Sequence, residues 1–564
     1  MATTLSTGLA LAGPRDDRAS LQTMPPEIIN LILEYLVPQP PEIGETRPVA
    51  YHQLMEEEPW FDFTRCRRGL RSMCLASRRL SQLAFPLLYR VVALWDEASV
   101  LLFLRTLTDK PEYGPWTRYL SCHLTLSELL VIRSFRDLLP RYLDTFRATL
   151  GGGVLATAAL KFIHVLRAAI PSMVATEGDF DHVPQMLLSF ILMLVAKVET
   201  ILLQVPISDD QQEYEVLCTQ LRCLNLLDLE ALPLQHVHTL MLQGDPELLE
   251  QIENDECECD VPEVWGSQPR KYASLFASCP RLTTLEVSSD DGVWTSAYDE
   301  DRLFPGGPGD GGSGGGGDDD KGPAPPFLGN IKHIYLHNSV AYPGDLHHLL
   351  LNAPMLETLY MSPRDDADFR EALEDNNPEI AHPEALDIAL ASHAKHLRNL
   401  DVSWQDISGF ESLVGPDGRL TSLATMPTLE VLCVQMGLLY GQPAAVLEMP
   451  LVELLPPNLI ELVLEDWWFS NVVLLSELPT WTSAQKVRYY QSSHSYRVNA
   501  LRTLVRFARD VRSRLLKLKK VALVCKIPWT WVLEGAVDIE FHFEEVKRLF
   551  LEQGVEFSVR SDEV

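Results

Sequence analysis

A short hydrophobic pattern recurs along the chain: an apolar residue, two variable positions, an apolar residue, one variable position, and a third apolar residue. It occurs as Val198/Ile201/Leu203, Leu221/Leu224/Leu226, Val237/Leu240/Leu242, Leu282/Leu285/Val287, Ile331/Ile334/Leu336, Leu356/Leu359/Met361, Leu397/Leu400/Val402, Leu429/Leu432/Val434, Leu459/Leu462/Leu464 and Leu518/Val521/Leu523. The last two apolar positions of each copy alternate at strand period. Many copies follow a turn that ends a helical segment, as in Ser278-Cys279-Pro280-Arg281, Asn352-Ala353-Pro354, Thr425-Met426-Pro427 and Pro456-Pro457-Asn458. The predicted unit is therefore helix, turn and strand, repeated. Spacing is irregular, from 16 residues between Leu221 and Val237 to 59 between Leu459 and Leu518. Either long loops are inserted or weaker copies intervene. Outside the array, strands are predicted at Val91 to Leu94, Tyr119 to Leu126 and Val555 to Val559. Helices are predicted between Leu126 and Ala196, broken by Gly151-Gly152-Gly153, Pro171 and Pro184, and over Phe541 to Leu551.

Ahead of the array, Pro25 to Leu36 forms a helical pattern in which Ile28, Ile29, Leu31, Ile32, Leu33, Tyr35 and Leu36 cover most of the circumference. Only Glu27, Asn30 and Glu34 leave a polar stripe. Such a helix needs two apolar neighbours. Pro25 and Pro26 mark its first turn, where a missing N–H costs little, and Glu27 meets the positive end of the helix dipole. A second helical pattern, Leu70, Met73, Ser77, Leu80, Leu83 and Ala84, is closed by Phe85-Pro86. Between the two, Val37 to about Gly69 carries Pro38, Pro40, Pro41 and Pro48 and the run Glu56-Glu57-Glu58, and reads as an exposed inserted loop.

The segments Met24-Pro25-Pro26-Glu27-Ile28-Ile29, Ile32-Leu33, Tyr35-Leu36, Leu75-Ala76-Ser77-Arg78-Arg79-Leu80 and Phe85-Pro86-Leu87-Leu88-Tyr89-Arg90 together resemble an F-box, in the form common in fungal proteins. The departures from that family are Met24 where leucine is usual and the long insertion. The resemblance implies a three-helix unit that packs one face internally and offers the other to the Skp-type adaptor of a cullin–RING ubiquitin ligase. The adaptor-facing residues it implies are Met24, Pro25, Ile28, Ile29, Ile32, Leu33, Leu36, Leu75 and Leu80. The alternative is a helical hairpin that only caps the downstream domain, with every apolar residue used internally.

The repeated triplets resemble leucine-rich repeats, in which no unit buries its own apolar face and stacked units build a parallel sheet over a shared core. Side-chain alternation then turns the residues between the apolar positions away from that core and onto a concave surface. These are Thr284 and Glu286, His333 and Tyr335, Thr358 and Tyr360, Asn399 and Asp401, Val431 and Cys433, and Glu461 and Val463. Tyr335 and Tyr360 occupy the same position in consecutive copies, and aromatics are common interface anchors. Tyr335, Tyr360, His333, Asp401 and Glu461 are the candidate target-binding residues. Trp404, Trp467 and Trp468 fall at the rim.

Composition narrows the function. A hydrophobic content of 46% supports a large core, and a net charge of −31 argues against general binding to nucleic acid or anionic membrane. The ten cysteines, sparse and unevenly spaced, read as reduced thiols of cytosol or nucleus. Met1 to Ser20 is a polar tail without the pattern of a secretory signal, and the longest apolar run, Met186 to Ala196, is too short to cross a bilayer. Ser288 to about Pro326, rich in Gly and Asp, reads as a flexible loop. Its matches to the nucleophile-elbow and dinucleotide-binding patterns lack the strand before and helix after that either chemistry requires.

Cys257-Glu258-Cys259 and the pair His236 and His238 lack the further ligands of a metal site. The basic run Arg506, Arg509, Arg512, Arg514, Lys517, Lys519 and Lys520 reads as a solvated face, with capture of a phosphorylated or acidic peptide as the alternative. No catalytic constellation emerges.

The expectation is thus an α/β protein: a disordered tail (1–20), an F-box-like helical module (21–95, with its loop at about 38–69), and an irregular leucine-rich-repeat solenoid (96–564, with its loop at about 288–326). The expected function is substrate recognition in an SCF-type ubiquitin ligase, the helices holding the Skp-type adaptor and the repeats an unknown protein target. The alternative is a non-enzymatic scaffold. Neither a cofactor nor a metal is expected, and no nucleic-acid or membrane partner. The expected place is cytoplasm or nucleus.

Overall fold

A computed structural model describes residues 24–38, 58–94, 97–123, 188, 191–192, 194–195, 197–205, 234–244, 275–276, 279–288, 328–339, 343–363, 383–402, 419–440, 449–465, 502–525 and 537–561. Several expectations lie outside them: the tail 1–20, the insertion over 39–57, the triplet Leu221/Leu224/Leu226, Cys257 and Cys259, the Gly/Asp loop, and Trp404, Trp467 and Trp468.

The chain is an α/β protein built on one twelve-stranded parallel sheet. Its strands are β1 (Val91–Leu94), β2 (Tyr119–His123), β3 (Thr200–Val205), β4 (Thr239–Gly244), β5 (Thr284–Ser288) and β6 (His333–Ser339), followed by β7 (Thr358–Pro363), β8 (Asn399–Val402), β9 (Val431–Gln435), β10 (Glu461–Glu465), β11 (Lys520–Cys525) and β12 (Glu556–Ser561). They lie side by side in chain order, so every connection leads to the next neighbour. The first common apolar position runs in register through the array, from Leu120 on β2 to Ile201, Leu240, Leu285, Ile334, Leu359, Leu400, Leu432, Leu462 and Val521. Each is essentially fully buried. Unequal spacing between the strands in the sequence does not disturb this register.

The backbone repeats as faithfully as the side chains. At the start of nearly every strand two successive N–H groups converge on one carbonyl of the preceding unit: Thr283 and Thr284 on His238, Lys332 and His333 on Thr283, Glu357 and Thr358 on Lys332, Arg398 and Asn399 on Glu357. Most strands are also entered by a turn in which the first apolar residue donates to the carbonyl three residues earlier, as in Leu282 to Cys279, Ile331 to Leu328 and Leu356 to Ala353. That earlier residue is usually apolar and buried, which lengthens the unit by one position. On this longer pattern β2 is entered by Gly114 and Thr117, residues that conceal its kinship in the sequence.

Gly114 has a steric reason. A Cβ there would lie 2.0 Å from the Leu194 carbonyl oxygen, well inside contact distance. Gly114→Ala is expected to cost about 2 kcal/mol through the forced backbone shift, seen as a lower denaturation midpoint at unchanged slope. An unchanged midpoint would mean that the two segments are not in contact.

Helices cover one face of the sheet. They include α4 (Glu97–Asp109), α5 (Pro343–Asn352), α6 (Pro383–His393), the short α7 (Met436–Tyr440) and α8 (Leu451–Leu454), α9 (residues 502–514) and α10 (Val537–Glu552). Leu104, Leu349, Ala389, Phe507, Val546 and Phe550 join the inward row of the strands in one continuous core. At the end of the array α10 stops at Gly554, whose φ of +68° suits glycine. Val555 N–H donates to Phe550 O and Gly554 N–H to Leu551 O, the bond pair of a Schellman motif.

Arg512 clips this terminus to α9, donating to the carbonyls of Leu516, Gln553 and Gly554. The basic run is thereby largely committed: Arg514 donates to Glu453 O, Lys520 pairs with Glu461, and Arg506 lies at i,i+4 to Asp510. Among the described residues no helix is long and apolar enough to cross a membrane.

Among the described residues three helices precede the sheet: α1 (Pro26–Glu34), α2 (Glu58–Ala76) and α3 (Arg78–Leu88). Ser77 caps α3 by accepting from Leu80 N–H at 3.2 Å. Three boundaries differ from expectation. The helical pattern over Leu70 to Ala84 is split between α2 and α3, because Ser77 is extended and caps the second helix. Residues 58–69, predicted as loop, are the first half of α2; the charged residues among them obscured a face on which Phe63 and Leu70, seven apart, are both buried. Pro86 lies inside α3, which runs on to Leu88.

Candidate interaction surfaces

Two surfaces have the composition of binding sites. The first is on the helical module. Ile29 and Leu33 lie one turn apart on α1 and pack with Leu70, Leu80 and Ala84 in a core of their own. The residues on either side of that stripe point elsewhere: Ile28 is 45% exposed, Leu31 60%, Tyr35 87%, and Leu75 on α2 80%. Of the nine residues the F-box resemblance assigns to the adaptor, Pro25, Ile28 and Leu75 are therefore exposed, and Met24, Ile32 and Leu36 half-buried. Ile29, Leu33 and Leu80 are not on that surface. They hold the helices together, because a side chain with no accessible area has nothing left to offer a partner.

A second face of the module meets the sheet. Val37, Phe63 and Leu87 pack against Val91, Ala93, Tyr119, Leu202 and Met241, on the side of β1 to β4 opposite the helices. Phe85 and Tyr89 of α3 contact Tyr113, 5.1 and 5.2 Å between ring centroids, and Tyr113 stacks on Trp116 at 4.7 Å. Arg79 donates to Met24 O at 2.7 Å and Arg90 pairs with Glu34 at 2.8 Å, tying both ends of α1 to α3 and to the entry of β1.

The second surface is the same side of the sheet further along. There the five residues named from the sequence, Tyr335, Tyr360, Asp401, His333 and Glu461, share one face. Its middle row reads Glu286, Tyr335, Tyr360, Asp401, Cys433, Val463, each the lateral partner of the next. The Tyr335 and Tyr360 rings lie 6.3 Å apart, and the His337 ring 4.8 Å from Tyr360. His337 Nε2 is 3.4 Å from Glu286 Oε1, both groups buried. His337 was not named from the sequence because it lies one pair beyond the triplet that marks its strand.

The outer row is more fully paired. His333 Nδ1 lies 3.0 Å from Thr358 Oγ1, which also accepts from Asn399. Burial holds the His333 imidazole below its usual value despite nearby Glu357. Glu461 takes an ion pair from Lys520 at 2.5 Å. These two residues are thus less available than the tyrosines.

Electrostatics single out the row around Asp401. Burial first, and then the neighbouring Glu465, push its carboxyl up to about 7. Burial likewise raises the Tyr360 phenol, with the Asp401 and Glu465 charges adding to it, and raises the Cys433 thiol, which contacts Glu465 at 3.7 Å. A raised carboxyl and raised acids beside it describe a region already too negative for its degree of burial. Among the described residues no group of three His, Cys, Asp or Glu is placed to hold a metal ion, and His236 and His238 lie exposed just ahead of β4. Comparison with known proteins adds no kinship to this geometry: no family model and no curated protein matches the chain.

Proposed function

We propose that this chain is the substrate-recognition subunit of an SCF-type ubiquitin ligase. The helical module would hold a Skp-type adaptor, and through it a cullin–RING assembly, while the leucine-rich-repeat-like sheet presents the face opposite its core to a protein target. The observation that carries this reading is the set of large apolar side chains, Ile28, Leu31 and Tyr35 along α1 and Leu75 on α2, left exposed on helices that already possess an internal core. Covering each large side chain contributes about 1.5 to 3 kcal/mol gross, so exposure of this kind favours a standing partner over water. The subunit would perform no chemistry itself. It would raise the local concentration of target lysines near a ubiquitin-charged enzyme.

A second reading has its own observation. Val37, Phe63 and Leu87 seal the module onto β1 to β4, as a cap of a repeat array would, and a scaffold without ligase attachment needs nothing more. One experiment separates the two. Tagged full-length protein is expected to capture a Skp-type adaptor and a cullin, identified by mass spectrometry. The double variant Ile28→Asp, Leu75→Asp, exposed at both positions, is expected to lose both while keeping its circular dichroism and melting temperature. A wild type that never retains adaptor or cullin would leave the capping role alone standing.

A further inference from the structure

The middle of the sheet face opposite the core contains hydrogen-bonding capacity that the described protein leaves unused. Gln435 on β9 is fully buried, yet neither its Oε1 nor its Nε2 has a partner, and Asp401 Oδ1, buried two strand positions away on the same face, has none either. Unpaired buried polar atoms are uncommon and costly in a folded protein, so two such residues on one face call for a ligand. Beside them stand the half-buried rings of Tyr335 and Tyr360, with Cys433 between Asp401 and β10. Alternation puts Cys433 and Gln435 on the same side of β9, because Leu432 and Val434 between and beside them belong to the core.

What would satisfy this set is a group that donates several hydrogen bonds, carries positive charge and lies flat on an aromatic ring. A guanidinium or ammonium group does all three, and arginine does so with a planar fork matched to a carboxylate. The overall charge of −31 attracts such a partner from a distance. An anionic or purely apolar ligand would leave Asp401 uncompensated. Resting on the reading that this face holds a protein target, we propose that Tyr360 and Asp401 form a site for a basic side chain, arginine before lysine, of the target polypeptide, with the fully buried Gln435 lying beneath it.

The probe is a fluorescein-labelled Gly-Ser peptide with one central arginine, alongside its lysine and citrulline counterparts, titrated into the full chain by anisotropy at low salt. The arginine peptide is expected to bind saturably, with citrulline at least about tenfold weaker and lysine between them. Asp401→Asn and Tyr360→Leu are each expected to weaken the arginine peptide about tenfold, while Glu552→Gln, a distant surface acid, leaves it unchanged. Equal affinity for arginine and citrulline, equal losses in all three variants, or no saturation by about 10 mM peptide would overturn the proposal. Adaptor capture is scored separately on the same preparations: loss of peptide binding with capture intact sinks this pocket only, and the converse sinks the ligase reading only.

Discussion

Leu33→Ala is expected to loosen the helical module by about 3 kcal/mol, whereas Ile28→Ala, five residues earlier on the same helix, shifts it by no more than about 0.5 kcal/mol. The two residues are both β- or γ-branched aliphatics on one helix, and only their facing differs. Leu33 has no exposed surface and sits among Ile29, Leu70, Leu80 and Ala84, so truncation leaves a cavity that two helices must share. Ile28 already meets solvent. Amide hydrogen exchange of the full chain reads the difference locally: protection across α1 and α2 should fall about a hundredfold in the first variant and stay put in the second. Equal loss in both would place Ile28 inside the core and remove the exposed surface on which adaptor binding rests.

Asp401→Asn is expected to stabilise the protein at pH 8 and to do little near pH 4. The Asp401 carboxyl is raised from 3.8 to about 7 in the folded chain, by burial and then by Glu465. Between those values the folded state holds a proton that the unfolded state has released, so wild-type stability is full below the ordinary aspartate range and falls as pH climbs towards about 7. The groups facing it, Tyr360, Cys433 and Glu465, supply no positive charge to reverse that sign. The loss approaches about 4 kcal/mol at full ionisation, and asparagine, which has no charge to bury, avoids it. Denaturant titrations of wild type and variant at both pH values test the window. A variant effect independent of pH would show that ionisation of Asp401 is not what strains this face.

The two predictions concern separate parts of the chain, and they differ in how much of each was readable beforehand. The strands were legible because each triplet puts two apolar residues at period two behind a turn, a pattern that a parallel strand over a core requires and that solvent-exposed loops have no reason to keep. Leu285 and Val287, or Leu462 and Leu464, announce their strands without help. β2 was fainter, since Gly114 and Thr117 stand where other units carry larger apolar residues, and the reason for Gly114 is a carbonyl supplied by Leu194, eighty residues on. The first half of α2 was hidden by its charges, with only Phe63 and Leu70 to mark its buried face.

The candidate site divides in the same way. That Tyr335, Tyr360 and Asp401 share a face came from alternation alone, since neighbouring strands in register repeat the same facing. His337 and Gln435 escaped it, because each lies past the part of its strand that the triplet marks.

The amino-acid sequence by itself determined that this is an α/β chain of repeated helix, turn and strand units, led by a helix too apolar to stand alone; those features depend on local periodicity and are carried by neighbouring residues. Only the tertiary structure decided which side of that helix is spent internally, that the module also rests on β1 to β4, and that Glu286 meets His337 while Asp401 feels the charge of Glu465. Those facts depend on register between segments tens of residues apart, set by packing of the whole sheet against its helices.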